Sequence, residues 1–130
     1  MAFVTEPPRL SGVLKLEEDP SYCREEVTVL AGSGSDRELV IGTVLGRITA
    51  SGTVVGLNLA GSDGSQTVYG VLLTTTTAPD GVDATGTALV RGPAIVADTG
   101  LIYPAGATAP QKATLNSALI ALGIVVRTGV

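Results

Sequence analysis

Short stretches in which apolar and polar residues alternate make up most of this chain. Val27 and Val29 alternate with Glu26 and Thr28, which is the period of a half-buried β-strand. Other short runs rich in β-branched residues are separated by Gly, Asp and Ser, so they predict further strands. They are residues 39–41, 42–49, 53–55, 67–73 with Gly70 at a bulge, 88–96 interrupted at Gly92-Pro93, and 101–103.

One helix is predicted near the end of the chain. Thr108 and Gln111 have the spacing of a capping box, and Pro110 lies within the first turn. The predicted interior is residues 111–122, in which leucines recur at helical spacing, and Gly123 supplies the stop. Residues 124–127 are apolar enough to form a last strand. Strands first and a helix late predict an α+β fold that is mainly β.

The first twenty residues have a different pattern from the rest. They contain Pro7, Pro8 and Pro20 and the acidic residues 17–19, with only scattered apolar side chains. Such a segment is typical of an extended or disordered arm. We therefore predict an N-terminal arm at residues 1–20, mobile in the free protein, and one domain at residues 21–130.

The arm contains the only phenylalanine of the chain, Phe3, followed by Val4 and Thr5. These side chains are compatible with a strand, and a strand can add to the open sheet edge of another protein. Together with Pro7 and Pro8 they are the candidate partner-binding residues. The alternative is that Phe3 folds back on its own domain.

Composition and charge narrow the classes of function. The chain has 130 residues, 45% of them hydrophobic, and a net charge of −4 with its eight Lys and Arg residues scattered. An acidic surface repels phosphate, so nucleic-acid binding is not expected. No apolar run approaches the ~20 residues that span a bilayer, and no secretory signal precedes the domain, so we expect synthesis in the cytoplasm and no membrane association.

Catalytic chemistry has little support. The chain has no histidine, which removes Ser-His-Asp and Cys-His arrangements and His-based metal sites. The single cysteine, Cys23, lacks an activating neighbour and is expected to be a packing or incidental thiol. The Gly32-to-Gly34 stretch lacks the Lys of a phosphate loop, and Asp80 and Asp83 are explained by turn formation. We predict no enzyme activity, no cofactor, no metal and no small-molecule substrate.

Several blocks of the chain, taken in order, resemble the head decoration protein family of lambda-like phages. They are residues 24–29 (REEVTV), 42–46 (GTVLG), 64–67 (GSQT) leading to 70–73 (GVLL), 90–96 (VRGPAIV), and the helix region from 110 through 125. The likeness spans roughly residues 22–127, and the arm is its least similar part.

The resemblance implies a structural late protein of the virion without catalysis or cofactor. It implies a homotrimer on the outer surface of the expanded bacteriophage head, bound to the major capsid protein and stabilising the shell against internal DNA pressure. Two other classes stay open: a small β-rich carbohydrate-binding or adhesion module, and a small hydrolase that uses Ser or Asp. The first is poorly supported, because three tyrosines and Phe3 are not grouped in the sequence.

Overall fold

A computed structural model describes residues 9–128, which form a mainly β protein with a helix near the end. In chain order the elements are α1 Leu10–Val13, β1 Leu14–Glu17, α2 Pro20–Cys23, β2 Arg24–Val29, β3 Arg37–Leu39, β4 Val44–Arg47, β5 Val54–Gly56, β6 Val68–Leu72, β7 Thr76–Ala78, β8 Ala84–Leu89, β9 Ala94–Ala97, a 3₁₀ turn Asp98–Gly100, α3 Ala109–Ala121 and β10 Ile124–Arg127. The predicted α+β, mainly β fold is confirmed.

Five strands close into a barrel in the order β2-β5-β4-β6-β8. The longest pairing joins β2 and β8 antiparallel, from Arg24 opposite Leu89 to Val29 opposite Ala84. Val27 and Val29 point inward while Glu26 and Thr28 are exposed, as the alternation predicts. Because the barrel closes on itself, each of its strands has a neighbour on both sides.

A second sheet has the order β1-β9-β10. β1 runs antiparallel to β9, and β10 runs parallel to β9 with Ile124 opposite Ala94 and Arg127 opposite Ala97. The predicted last strand is therefore confirmed. A separate two-stranded ribbon pairs β3 with β7.

Two apolar clusters fill the interior. The larger joins the three-stranded sheet, α3 and one side of the barrel, and its members include Val13, Val96 and Leu119. The smaller lies among the barrel strands around Leu45 and Leu72. Aliphatic side chains fill both clusters, since the chain has little aromatic volume.

Helix α3 begins and ends as its sequence predicts. The Thr108 hydroxyl accepts from the Gln111 N–H at 3.4 Å, and the Gln111 side chain accepts from the Thr108 N–H at 2.8 Å. Two orphan donors of the first turn are thus satisfied. At the other end Gly123 has a φ of +88°, the left-handed conformation that glycine adopts easily after a helix.

Gly42 lies where the barrel packs closely against α1 and the 3₁₀ turn. Its φ is +95°, and a β-carbon there would lie 2.1 Å from the carbonyl oxygen of Gly100 and 3.1 Å from a methyl group of Val13. A side chain does not fit without moving the backbone. The barrel strand that follows Gly42 therefore packs directly on α1 and the 3₁₀ turn.

Two strand predictions need correction. Residues 101–103 form no strand: Ile102 makes an isolated bridge with Thr43. Residues 40 and 41 lie outside β3, which ends at Leu39. The predicted bulge is displaced by one position, because Leu45 pairs with Gly70 and Gly46 with Val68, leaving Tyr69 as the extra residue.

The end of the predicted arm also differs from the structure. Residues 10–17 form α1 and β1, and Val13 is buried in the larger cluster. The alternation of Leu14 and Leu16 with Lys15 and Glu17 was the local signal for a strand. The neighbouring prolines made this strand signal resemble part of an extended arm. In the structure, these residues belong to the folded domain because they pair with β9.

Candidate functional site

The five candidate partner-binding residues, Phe3, Val4, Thr5, Pro7 and Pro8, lie outside the described residues. The structure shows instead the place to which this segment is joined. From Arg9 the chain enters α1 and continues directly into β1. Residues 1–8 are therefore separated from β1 in the sequence by Arg9 and α1 alone.

β1 is an edge strand. Within residues 9–128 it pairs with β9 alone, so its other side carries no strand. Leu14 pairs with Val96 and Leu16 with Ile95, so Lys15 forms a bulge between them. Leu16 is consequently 51% exposed. An open edge beside an exposed leucine offers both backbone hydrogen bonds and apolar contact to another chain.

The far end of β1 is firmly anchored. The Arg24 guanidinium donates to both carboxylate oxygens of Glu17, with Nε 3.0 Å from each. The Glu17 side chain is only 8% exposed, and hydrogen bonding to its carboxylate raises the pKa of Arg24. The N–H of Glu18 also donates to the Pro93 carbonyl at 2.9 Å. These contacts fix the strand even though it has one neighbour.

β1 begins and β10 ends at the same end of the three-stranded sheet. Leu14, the first residue of β1, is opposite Val96, and Arg127, the last of β10, is opposite Ala97. The Thr128 hydroxyl then donates to Asp98 Oδ2 at 2.8 Å. Because β9 separates the two strands, Leu14 and Arg127 lie about 10 Å apart, two strand spacings.

Cys23 is completely buried at the end of α2. Its Sγ lies 3.9 Å from the Pro93 carbonyl oxygen, and no other side chain makes a hydrogen bond to it among the contacts described. A thiol in this environment has no access to solvent. Its position fits the predicted packing role.

The aspartate side chains of the loops accept hydrogen bonds from backbone N–H groups. Asp83 accepts from the Ala31 N–H at 2.8 Å, Asp80 from the Gly34 N–H at 2.9 Å, and Asp36 from the Asp80 N–H at 3.0 Å. Between residues 9 and 128 no three His, Cys, Asp or Glu side chains are grouped to hold a metal ion. The same part of the chain has no helix long and apolar enough to cross a bilayer.

Sequence reasoning missed one exposed group of side chains, here called the Tyr–Arg band: Tyr22, Arg91, Glu25, Tyr69 and Arg47. Arg91 lies over the Tyr22 ring at 5.1 Å and donates to Glu25 at 2.6 Å. Tyr69 donates to Glu25 at 3.4 Å, and Arg47 lies over the Tyr69 ring at 5.3 Å. The residues come from α2 and from four barrel strands or their ends. No local sequence pattern therefore predicts that they lie together.

Helix α3 leaves a small apolar surface uncovered. Ala113, Ile120 and Ala121 are exposed, with Ile120 at 54%, whereas Leu115 and Leu119 are buried. The face that the leucine stripe predicts to be outward is therefore outward in the described part of the chain. Its contact with a neighbouring copy stays a prediction.

Comparison with known families decides the identity. Residues 3–124 match the family model described as bacteriophage lambda head decoration protein D. The chain belongs to this family. The match begins at residue 3, so the segment containing Phe3 lies within it, although the arm is the least similar part of the resemblance. No curated protein sequence matches the chain.

Membership gives the protein a structural role in the phage capsid. Head decoration proteins are structural proteins of the phage capsid, so this chain is associated with the capsid of a virion. The features that matter in such a protein are surfaces for other proteins.

Proposed function

We propose that the protein binds as a homotrimer to the outer surface of the expanded phage head and stabilises the shell against internal DNA pressure. Phe3, Val4 and Thr5, set off by Pro7 and Pro8, pair with a strand edge of the major capsid protein. The open edge of β1, which follows this segment after Arg9 and α1, is the structural observation that supports the proposal most.

β1 extends the recognition surface from the arm into the folded domain. A capsid strand lying along β1 gains backbone hydrogen bonds on a strand that Glu17 and β9 already hold in place. Preorganisation lowers the entropy cost of ordering the complex. Leu16 then supplies an apolar contact beside the backbone pairing.

Three arms act together in the trimer. Once one arm has docked, the others bind at a high effective concentration, so individually weak contacts give firm attachment. The exposed face of α3, Ala113, Ile120 and Ala121, provides apolar surface for a neighbouring copy.

The same proposal covers the remaining properties. The protein is made in the host cytoplasm and acts on the outside of the capsid without catalysis, cofactor, nucleic acid, membrane or small-molecule substrate. Its net charge of −4 disfavours contact with phosphate backbones. Binding of this kind requires only complementary surfaces, since burial of apolar area and strand pairing supply the free energy of binding.

Carbohydrate binding is the weaker alternative. Tyr22 and Tyr69 lie on one surface, but a guanidinium group covers a face of each ring. Sugars stack on open aromatic faces. We therefore retain the capsid clamp as the single proposed function.

Deletion of residues 2–8 tests the role of the arm. Such a deletion spares Leu10, Val13 and β1, which belong to the fold, so the truncated protein is expected to remain folded. Its affinity for purified expanded heads is expected to fall at least about tenfold, because the strand pairing of each arm is lost. Saturable co-sedimentation with the heads measures the loss.

Phe3→Ala is expected to give part of the same loss. Val82→Ala is the matched control, because Val82 is a 58% exposed side chain in a loop far along the chain from β1. Unchanged affinity of the truncated protein would place the contact on the folded domain. Failure of the full-length protein to bind expanded heads would overturn the proposed function itself.

A further inference from the structure

The Tyr–Arg band is a continuous surface fixed by its own contacts. Arg91 reaches the Tyr22 carbonyl as well as Glu25, and Glu25 connects to Tyr69. Tyr22 is 59% exposed, and the side chains of Arg91 and Glu25 are 34% and 44% exposed. The band is thus open to solvent while each member is held by a neighbour.

Its composition is that of a protein interface. Tyr and Arg are enriched at the centres of protein–protein interfaces and among the residues whose truncation weakens binding most. The band contains two of the three tyrosines of the chain. Because these side chains are already ordered, they lose less conformational entropy on binding than free ones.

The charge of the band selects the partner's chemistry. Arg47 and Arg91 outweigh Glu25, whereas the whole chain carries 12 acidic and 8 basic residues. Arg47 donates at 3.3 Å to the Gly52 carbonyl and has no carboxylate within ion-pair distance among the described residues. A predominantly acidic protein surface, such as that of another copy of this chain, complements the band.

Its position leaves it free while the arm is engaged. Tyr22 and Arg91 lie near the start of β9, where Val90 donates to the Cys23 carbonyl and Glu18 to Pro93. β1, which follows the arm after α1, begins at the opposite end of β9, where Leu14 pairs with Val96. A capsid strand on the arm and a second copy on the band therefore approach different ends of the sheet.

We propose that the Tyr–Arg band is one half of the contact between neighbouring copies and faces carboxylates on the next copy. A cyclic trimer uses heterologous contacts, in which a patch on one copy meets a different patch on the next. The inference rests on the proposed trimer and names the surface that forms it.

Arg47→Glu tests this contact in the full-length protein. It reverses the charge that faces the neighbour, so the concentration at which copies associate is expected to rise about tenfold or more. Arg127→Glu is the control, because it makes the same change in net charge at an exposed position on β10. Sedimentation velocity over a concentration series measures association in solution, and chemical cross-linking measures it on expanded heads.

Tyr22→Ala removes the exposed ring without changing charge and is expected to weaken association in the same assay. Circular dichroism checks that each variant is folded. Association of both folded variants at wild-type concentrations would overturn the band as a contact between copies. Normal association with lost head binding would also overturn it and would assign the band to the capsid protein. Absence of head binding by the unaltered protein is a separate result that bears on the proposed function.

Discussion

The closed barrel and the three-stranded sheet differ in their strand edges: the barrel has none, whereas the sheet has two edge strands among the described residues. In the barrel, the five strands pair with one another in a closed ring, in the order β2, β5, β4, β6 and β8. In the sheet, β1 and β10 each have one neighbour, β9, among the described residues. Open edges attract other strands, whereas closed barrels have none to offer. The difference agrees with the proposal, in which the barrel is the scaffold and the sheet carries strand-based recognition.

The two regions are nevertheless parts of one domain. The larger apolar cluster contains side chains from the sheet, from α3 and from barrel strands, and Gly42 allows the barrel to approach α1 closely. Damage to the barrel should therefore lower global stability, while damage at the start of β1 should mainly loosen the recognition edge.

Leu72→Ala should give the largest effect. Leu72 is fully buried in the barrel cluster, so its truncation leaves a cavity and should lower the free energy of unfolding by about 3 kcal/mol. Urea denaturation followed by circular dichroism measures it. Ile120→Ala, at an exposed position of α3, should change stability by no more than about 0.5 kcal/mol. Equal effects of the two substitutions would contradict the role of the barrel as scaffold.

Val13→Ala should have a smaller global effect and a more local one. Val13 is 1% exposed and anchors the chain immediately before β1. Loss of two methyl groups should lower the free energy of unfolding by about 2 kcal/mol. Hydrogen exchange should rise more at β1 amides than at β2 and β8 amides. Uniform acceleration across the barrel would show that β1 does not open separately.

Acidification should give the smallest effect. Hydrogen bonding to Arg91 lowers the pKa of Glu25 below its ordinary value of 4.5. The folded state therefore binds this proton less readily than the unfolded state, so the pair contributes stability above pH 4.5 that is lost as pH falls through the lower folded pKa. The contribution is small because both groups are exposed to solvent.

Arg91→Gln should remove this contribution. The difference in urea midpoint between the variant and the unaltered protein should be present near neutral pH and shrink as the Glu25 carboxylate becomes protonated. A difference that stays constant down to acid pH would show that Arg91 stabilises the fold through packing alone.

Prediction from sequence succeeded where the signal is local. The alternation at Val27 and Val29 identified β2, and the capping box at Thr108 and Gln111 identified the start of α3. It failed for β1, because prolines and acidic residues on both sides resemble a disordered arm. It also predicted a separate strand at residues 101–103, where a single bridge at Ile102 forms.

The sequence by itself determined that the chain is mainly β, that its late helix begins at a capping box, and that no histidine-based chemistry is available. These properties depend on composition or on residues within one turn or strand. Only the tertiary structure decided that the barrel closes, that β1 pairs with the sheet, and that Tyr22, Glu25 and Tyr69 lie close together. Strand pairing depends on contacts between residues far apart in the chain, and four-residue strands of similar composition do not specify their neighbours until the whole core is packed.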